Sequence, residues 1–191
     1  HKAIRRQRQM CIRDRLYTVT IFSENTVGLL GQVTSVFTRR QLNIETLSVS
    51  PSALPGIHKF TITIFTDRDT IVKVVKQIDK RIDVLKAYFN TDDELIHQEI
   101  ALYKLSTPDF LKMGTVEQLI RKYNAKILEI NENCVVLHKT GHHAETQALF
   151  EELSKAIGVL QFIRSGRIAI TKSKIERLSD MLKEIEHKKN S

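Results

Sequence analysis

The chain has 191 residues, enough for one domain with a full core or two small ones, and its 41% hydrophobic and 27% charged residues are ordinary for a globular protein. No run approaches the roughly 18 uninterrupted apolar residues of a membrane span and no signal-peptide pattern opens the chain, so a cytoplasmic protein without a membrane partner is expected. The formal charge of +8 points toward nucleic acid or an anionic surface, but that charge is concentrated at one end.

The first fifteen residues, HKAIRRQRQMCIRDR, hold Lys2, Arg5, Arg6, Arg8, Arg13 and Arg15 against the single acid Asp14, and the remainder carries 24 basic and 21 acidic residues, or +3. The stretch shows neither helical nor strand periodicity, and QRQMCIRDR resembles translated sequencing-adaptor sequence. Residues 1–15 are expected to be a non-native leader, the alternative being a basic arm. With them goes the case for a nucleic-acid partner. Cys11 and Cys134 make no metal-type spacing, and Cys134, at a strand position, reads as a small buried residue.

In chain order, residues 16–23 (LYTVTIFS) alternate and are rich in β-branched and aromatic side chains, which predicts a strand. Leu29, Leu30, Val33, Val36 and Phe37 then fall at helical spacing in a helix expected to open near Thr26–Val27. A strand at about 43–50 runs into the turn PSALPG, and HKFTITIFT, residues 58–66, is the clearest strand of the chain. Asp67 and Asp69 offer caps for a helix whose apolar face is Ile71, Val74, Val75, Ile78 and Ile82. DVLKAYFN supplies a fourth strand, and the order β-α-β-β-α-β is that of the ferredoxin-like split unit.

The acidic TDDE at 91–94 is the expected linker. Beyond it the order repeats: a strand at 96–105, a helix from about 109 aligning Val116, Leu119, Ile120 and Tyr123, and strands at 125–131 and 134–140. A helix with Leu149, Phe150, Leu153 and Ile157 follows, then a strand at 159–164 or a little beyond. The expected fold is therefore α+β, two ferredoxin-like βαββαβ domains at 16–91 and 95–172. Residues 173–191 place Ile175, Leu178, Leu182 and Ile185 on one stripe of a charged amphipathic tail helix.

No catalytic constellation is visible: no Gly-rich phosphate loop, no nucleophile elbow, no His-Glu-x-x-His and no cysteine pair at ligand spacing. His138, His142 and His143 lie at a strand end and in the loop expected after it, which favours a solvated loop over a metal site.

The stretch SENTVGLLGQVTSVFTRRQLNIETLSVS, residues 23–50, is different. The first N–H groups of a helix lack intrahelical partners and carry partial positive charge, which suits a carboxylate. Gly28 lets a ligand approach the backbone, and Asn25 can either cap the helix or turn its amide toward a ligand. A capped helix with a packing glycine explains the same residues taken singly.

ENTVGLLGQVTSVFTRRQLNIETLSV resembles the ACT-domain signature of the small regulatory subunit of acetolactate synthase, and EIALYKL, NAKILEI and IRSGRIAIT resemble segments of that family's second domain in the right order. The resemblance runs from about Leu16 to Lys172. It implies an ACT domain followed by an ACT-like domain, a homodimer of side-by-side ACT domains, and valine or a similar amino acid bound at their interface. By position, Asn25 and Gly28 match the family's ligand-holding loop and helix start, and Asn43 and Ile44 match the corner contributed by the other protomer. The partner implied is the catalytic subunit, which carries the thiamine diphosphate, FAD and magnesium; this chain is expected to have no cofactor, no metal and no catalysis of its own. Where the family has Gly and an aromatic before Asn-Ile, this chain has Gln41-Leu42. Losing that glycine predicts a strained or differently shaped turn, and Gln32 replaces a basic residue common in the first helix.

Two other readings fit the element order. An RNA-recognition motif shares it, but its third strand should carry a basic-Gly-aromatic pattern with aromatics on the open face. Here Phe60 and Phe65 differ by an odd number, so they face opposite sides, and the strand has no glycine. A free-standing amino-acid sensor acting on another enzyme is the third reading.

Overall fold

The computed structural model of the chain describes residues 15–112 and 114–172, so most of the leader and the amphipathic stretch at 173–191 lie outside the described residues. Packing divides the described residues into two units, 15–96 with 169–172, and 97–168.

The first unit runs β1 (Arg15–Glu24), α1 (Leu29–Arg39), β2 (Thr46–Pro51), β3 (Ile57–Thr66), α2 (Arg68–Asp79) and β4 (Val84–Asn90). Its sheet has the order β2-β3-β1-β4, all neighbours antiparallel. Alternation in β1 decides its faces. Val19 pairs with Ile62 and Ile21 with Phe60, and these four are buried under the helices with Leu29, Val33, Val36 and Phe37 of α1 and Ile71, Val74, Val75 and Ile78 of α2. Phe60 is buried and Phe65 is exposed on the other face, so β3 lacks the paired aromatic platform that stacks RNA bases.

Three local expectations are corrected. α1 opens at Leu29 rather than Thr26–Val27, because Gly28 takes a left-handed φ of 85° and holds the N-cap position. The late start turns Leu30 outward, 45% exposed, while Leu29 faces the core. Ile82 is fully exposed, because α2 ends at Asp79 and the chain turns there before β4.

The end of α1 shows what replaces the missing glycine. Gln41 sits at φ 55°, its N–H donates to the Thr38 carbonyl at 2.9 Å, and the Leu42 N–H donates to Phe37 O at 3.0 Å. This is a Schellman closure, with Leu42 packed on the core beside Phe37, built on a residue that favours the left-handed region less than glycine does. Gln41→Gly is expected to stabilise the protein by about 1 kcal/mol, strain relief exceeding the extra chain entropy. A urea midpoint that falls in the variant would contradict this.

α2 is capped conventionally. Asp67 accepts from the Thr70 N–H at 2.9 Å and the Thr70 hydroxyl at 2.6 Å, and these bonds hold its carboxyl below its ordinary value of 3.8. A depressed carboxylate stabilises the fold above the unfolded pKa and loses that contribution as pH falls through the lower, folded one. Thermal scans between pH 6 and pH 3 should therefore show a smaller acid-induced drop for Asp67→Asn, whose amide still caps, than for the natural chain. Equal drops would remove Asp67 from the acid response.

A single 3₁₀ turn, Asp92–Glu94, occupies the expected linker; the Thr91 N–H donates to Glu94 Oε2 at 3.0 Å. Then come β5 (Leu95–Ser106), α3 (Thr107–Lys112), α4 (Gly114–Tyr123), β6 (Lys126–Ile130), β7 (Cys134–Gly141), α5 (His143–Ala156), β8 (Gln161–Arg164) and β9 (Ile168–Thr171). The order β6-β7-β5-β8 repeats the first sheet, and β9, which the sequence pattern does not separate, pairs with β5. Ala101, Tyr103, Leu105, Val135, Leu137, Leu149 and Leu153 form the core of the second unit, and Cys134 is buried at its margin. The turn after α4 matches the one after α1: Asn124 has φ 50° and the Ala125 N–H reaches Ile120 O at 3.0 Å. The architecture is α+β, with two ferredoxin-like repeats.

Candidate functional site

The first polar corner follows β1. Asn25 is exposed, and its N–H donates to Gly56 O at 3.0 Å, tying the loop to the turn before β3. Gly28 closes the loop, and the Gln32 N–H donates back to its carbonyl at 3.1 Å. No side chain caps α1, so of the two roles open to Asn25 capping falls away. A Cβ built on Gly28 would meet nothing within 4 Å. The glycine is required by its left-handed backbone and not by close packing, which corrects the packing reading of this residue.

Around this corner the side chains are apolar. Val27 is fully exposed and Leu30 half-exposed, on either side of the uncapped helix start. Sequence periodicity placed Leu30 in the core; only the left-handed N-cap reveals it as a surface residue.

The second corner follows the Schellman turn. Asn43 is exposed, Ile44 is half-buried against the core, and the Glu45 N–H joins Thr63 O at 2.9 Å. The 11 residues of α1 separate the two corners. At 1.5 Å per residue they stand roughly 16 Å apart, too far for one amino acid to touch both within a single chain. Asn25 with Gly28, and Asn43 with Ile44, thus stand at opposite ends of α1.

Gln32 turns away from both. Its Oε1 accepts from Arg81 Nη1 at 2.7 Å, and Arg40 Nη2 donates to Gln77 Oε1 at 2.8 Å, so both residues brace α1 against α2 and the turn after it.

The second unit holds the main buried titratable cluster. Glu99 on β5 accepts from the Thr146 hydroxyl, lies 3.6 Å from His143 Nδ1 and 3.8 Å from Arg164 Nη1, and Arg164 Nη1 donates to His143 at 2.8 Å. Tyr103 donates to the Thr146 carbonyl at 2.8 Å; burial, then the Glu99 carboxylate, push its phenol well above the ordinary range against the opposing pull of Arg164. Every member ties β5 or β8 to α5, which makes the cluster a clasp. His142 holds the N-cap position of α5 without a side-chain cap bond, His143 opens the helix rather than lying in a loop, and His142 meets His97 edge-on with centroids 4.8 Å apart. Among the described residues no three His, Cys, Asp or Glu side chains are arranged to hold a metal ion, and no helix is long and apolar enough to cross a membrane.

Comparison with known proteins decides which family built this arrangement. Residues 19–86 match the acetolactate synthase small-subunit-like ACT domain, and residues 98–173 match the small subunit of acetolactate synthase. The acetolactate synthase small subunit of Buchnera aphidicola is 30% identical over 155 residues, covering 81% of this chain and 97% of that protein. This chain belongs to the acetolactate synthase small-subunit family. The small subunit of Bacillus subtilis is 27% identical over 166 residues, covering 86% of this chain and 94% of its own length. The crystal structure of the Thermotoga maritima acetolactate synthase small subunit superposes with a TM-score of 0.75 at 24% identity, over 84% of this chain and 99% of that one, which shows the shared fold. Membership makes the role regulatory rather than catalytic. The ACT match spans Asn25, Gly28, Asn43 and Ile44.

Proposed function

We propose that this small subunit binds and activates the catalytic subunit of acetolactate synthase, and that it confers feedback inhibition by holding valine or a related branched-chain amino acid between two copies of its ACT domain. The observation that supports the reading is the separation of the two polar corners by the length of α1: an amino acid that touches both takes the second corner from another chain.

Each contact has a physical reason. The uncapped N-terminus of α1 offers N–H groups and the positive end of a helix dipole to the α-carboxylate. The carboxamide oxygens of Asn25 and of Asn43 from the second chain accept from the ammonium group. Val27, Leu30 and the second chain's Ile44 surround the branched side chain. Because ligand binding joins two chains, it biases their relative arrangement, and that bias is what a catalytic subunit bound to the pair would sense. Thiamine diphosphate, FAD and magnesium are assigned to the catalytic partner.

Calorimetric titration of valine, leucine and isoleucine into the chain tests the site. Saturation is expected near one ligand per chain for at least one of them, with affinity lost in Asn25→Ala and in Asn43→Ala. Undiminished binding in both variants would place the ligand elsewhere.

A further inference from the structure

The loop that carries Asn25 and Gly28 is held at both ends by one turn elsewhere in the chain. Where β1 passes into the loop, the Glu24 N–H donates to Asp83 O at 3.0 Å. Where the loop passes into α1, Gly28 O accepts from the Gln32 N–H at 3.1 Å, and the Gln32 side chain accepts from Arg81 Nη1 at 2.7 Å. Arg81 and Asp83 belong to the turn between α2 and β4. That turn is closed by the Arg81 N–H on Ile78 O at 3.0 Å and by the Val84 N–H on Arg81 O at 3.2 Å.

Two features mark this turn as more than a connection. β4 leaves it through a bulge: Phe22 lies opposite Lys86 but Ser23 opposite Val84, so Leu85 is the extra residue and the strand bends there. Arg81 is half-buried, and its Nε is buried with no hydrogen-bond partner among the described residues. A desolvated donor costs stability, and the bond from Nη1 to Gln32 is what the guanidinium gains in that position. The start of α1, for its part, has no side-chain cap to hold it. A contact made one turn into the helix therefore decides how far its first N–H groups stray.

We propose that Arg81 is a positioning residue of the amino-acid site: through Gln32 it fixes the first turn of α1 and so aims the N–H groups that meet the α-carboxylate. Arg81 touches no ligand itself. Its effect is to have the helix start ordered before the ligand arrives, which raises affinity without adding a contact. The proposal rests on the ACT-site reading given above and adds that affinity is set in part from the turn between α2 and β4.

The test uses the full chain with Arg81→Met, Gln32→Met and the two together. Lys80→Met serves as a control, because it removes the same charge from an exposed neighbour. Circular dichroism confirms that each variant folds. Without ligand, hydrogen exchange at the Gln32 amide is expected to quicken about fivefold in Arg81→Met, the equivalent of one net hydrogen bond, and to stay unchanged in Lys80→Met. Calorimetry with valine, leucine and isoleucine should show affinity falling about fivefold in each single variant and no further in the double, because the two side chains act as one contact. Unchanged exchange or unchanged affinity in Arg81→Met overturns the proposal. So do additive losses, or an equal loss in Lys80→Met, which would reduce Arg81 to a distant charge. Absence of binding by the natural chain defeats the ACT-site reading and with it the claim on affinity, while the exchange rates still decide whether Arg81 holds the helix start.

Discussion

Gly28→Ala is expected to abolish measurable binding of the branched-chain amino acid while costing the fold only about 1–2 kcal/mol, the strain of a left-handed L-residue. The two effects have one source. Gly28 stands at φ 85° with open space where a Cβ would go, so alanine clashes with nothing. It is instead driven toward a right-handed conformation, in which the start of α1 shifts and its first N–H groups are re-aimed. Loss of a charge-assisted set of contacts to a carboxylate exceeds the loss of fold stability, because each such bond is worth about 1.5–3 kcal/mol. Calorimetry and urea denaturation on the same preparation separate the two numbers. A variant with full ligand affinity and reduced stability would show that the helix start is structural only.

The second large effect is on the second domain. Leu149 of α5 is fully buried between that helix and the sheet, among Tyr103, Leu137 and Leu153. Leu149→Ala removes its methyl groups and leaves a cavity, at a cost of about 2–5 kcal/mol. Domains are marginally stable by roughly 5–15 kcal/mol, so a large share of this domain's stability is lost. Leu149→Met conserves volume and should cost under about 1.5 kcal/mol. Urea denaturation followed by circular dichroism reads both, and comparable midpoints for the two variants would contradict the assigned packing. If the second domain carries the activating contact with the catalytic subunit, activation falls with it while amino-acid binding by the ACT domain persists.

Periodicity made the elements legible wherever one face is buried. Ile71, Val74, Val75 and Ile78 fall on the core side of α2 as their spacing requires, and Asp67 caps it. The consequence of Gln41 was legible too, since glycine's absence from a helix end predicts strain and the structure puts Gln41 at φ 55°. What the pattern could not carry are features set by a single residue's backbone. A left-handed N-cap has no periodic signature, so Gly28 moved the helix start by two residues and took Leu30 from core to surface. Ile82 continued an apolar spacing after the helix itself had ended. β9 was missed because only four residues long and separated from β8 by a three-residue connection, it reads as a continuation. Glu99 did leave a signal: it occupies a core-facing position in the alternation Ala101, Tyr103, Leu105, where an acid requires buried partners, and Thr146 supplies one. Of the two corners, the residue types and the helix between them were readable from sequence, whereas the left-handed backbone at Gly28 and the outward turn of Leu30 were not.

The most direct measurement is the rate of acetolactate formation by an acetolactate synthase catalytic subunit, recorded alone, with this chain, and with this chain plus valine. The rate is expected to rise when the chain is added and to fall again with valine, and Asn25→Ala should preserve the rise while removing the fall. A catalytic rate that does not change on adding the chain would contradict the regulatory account.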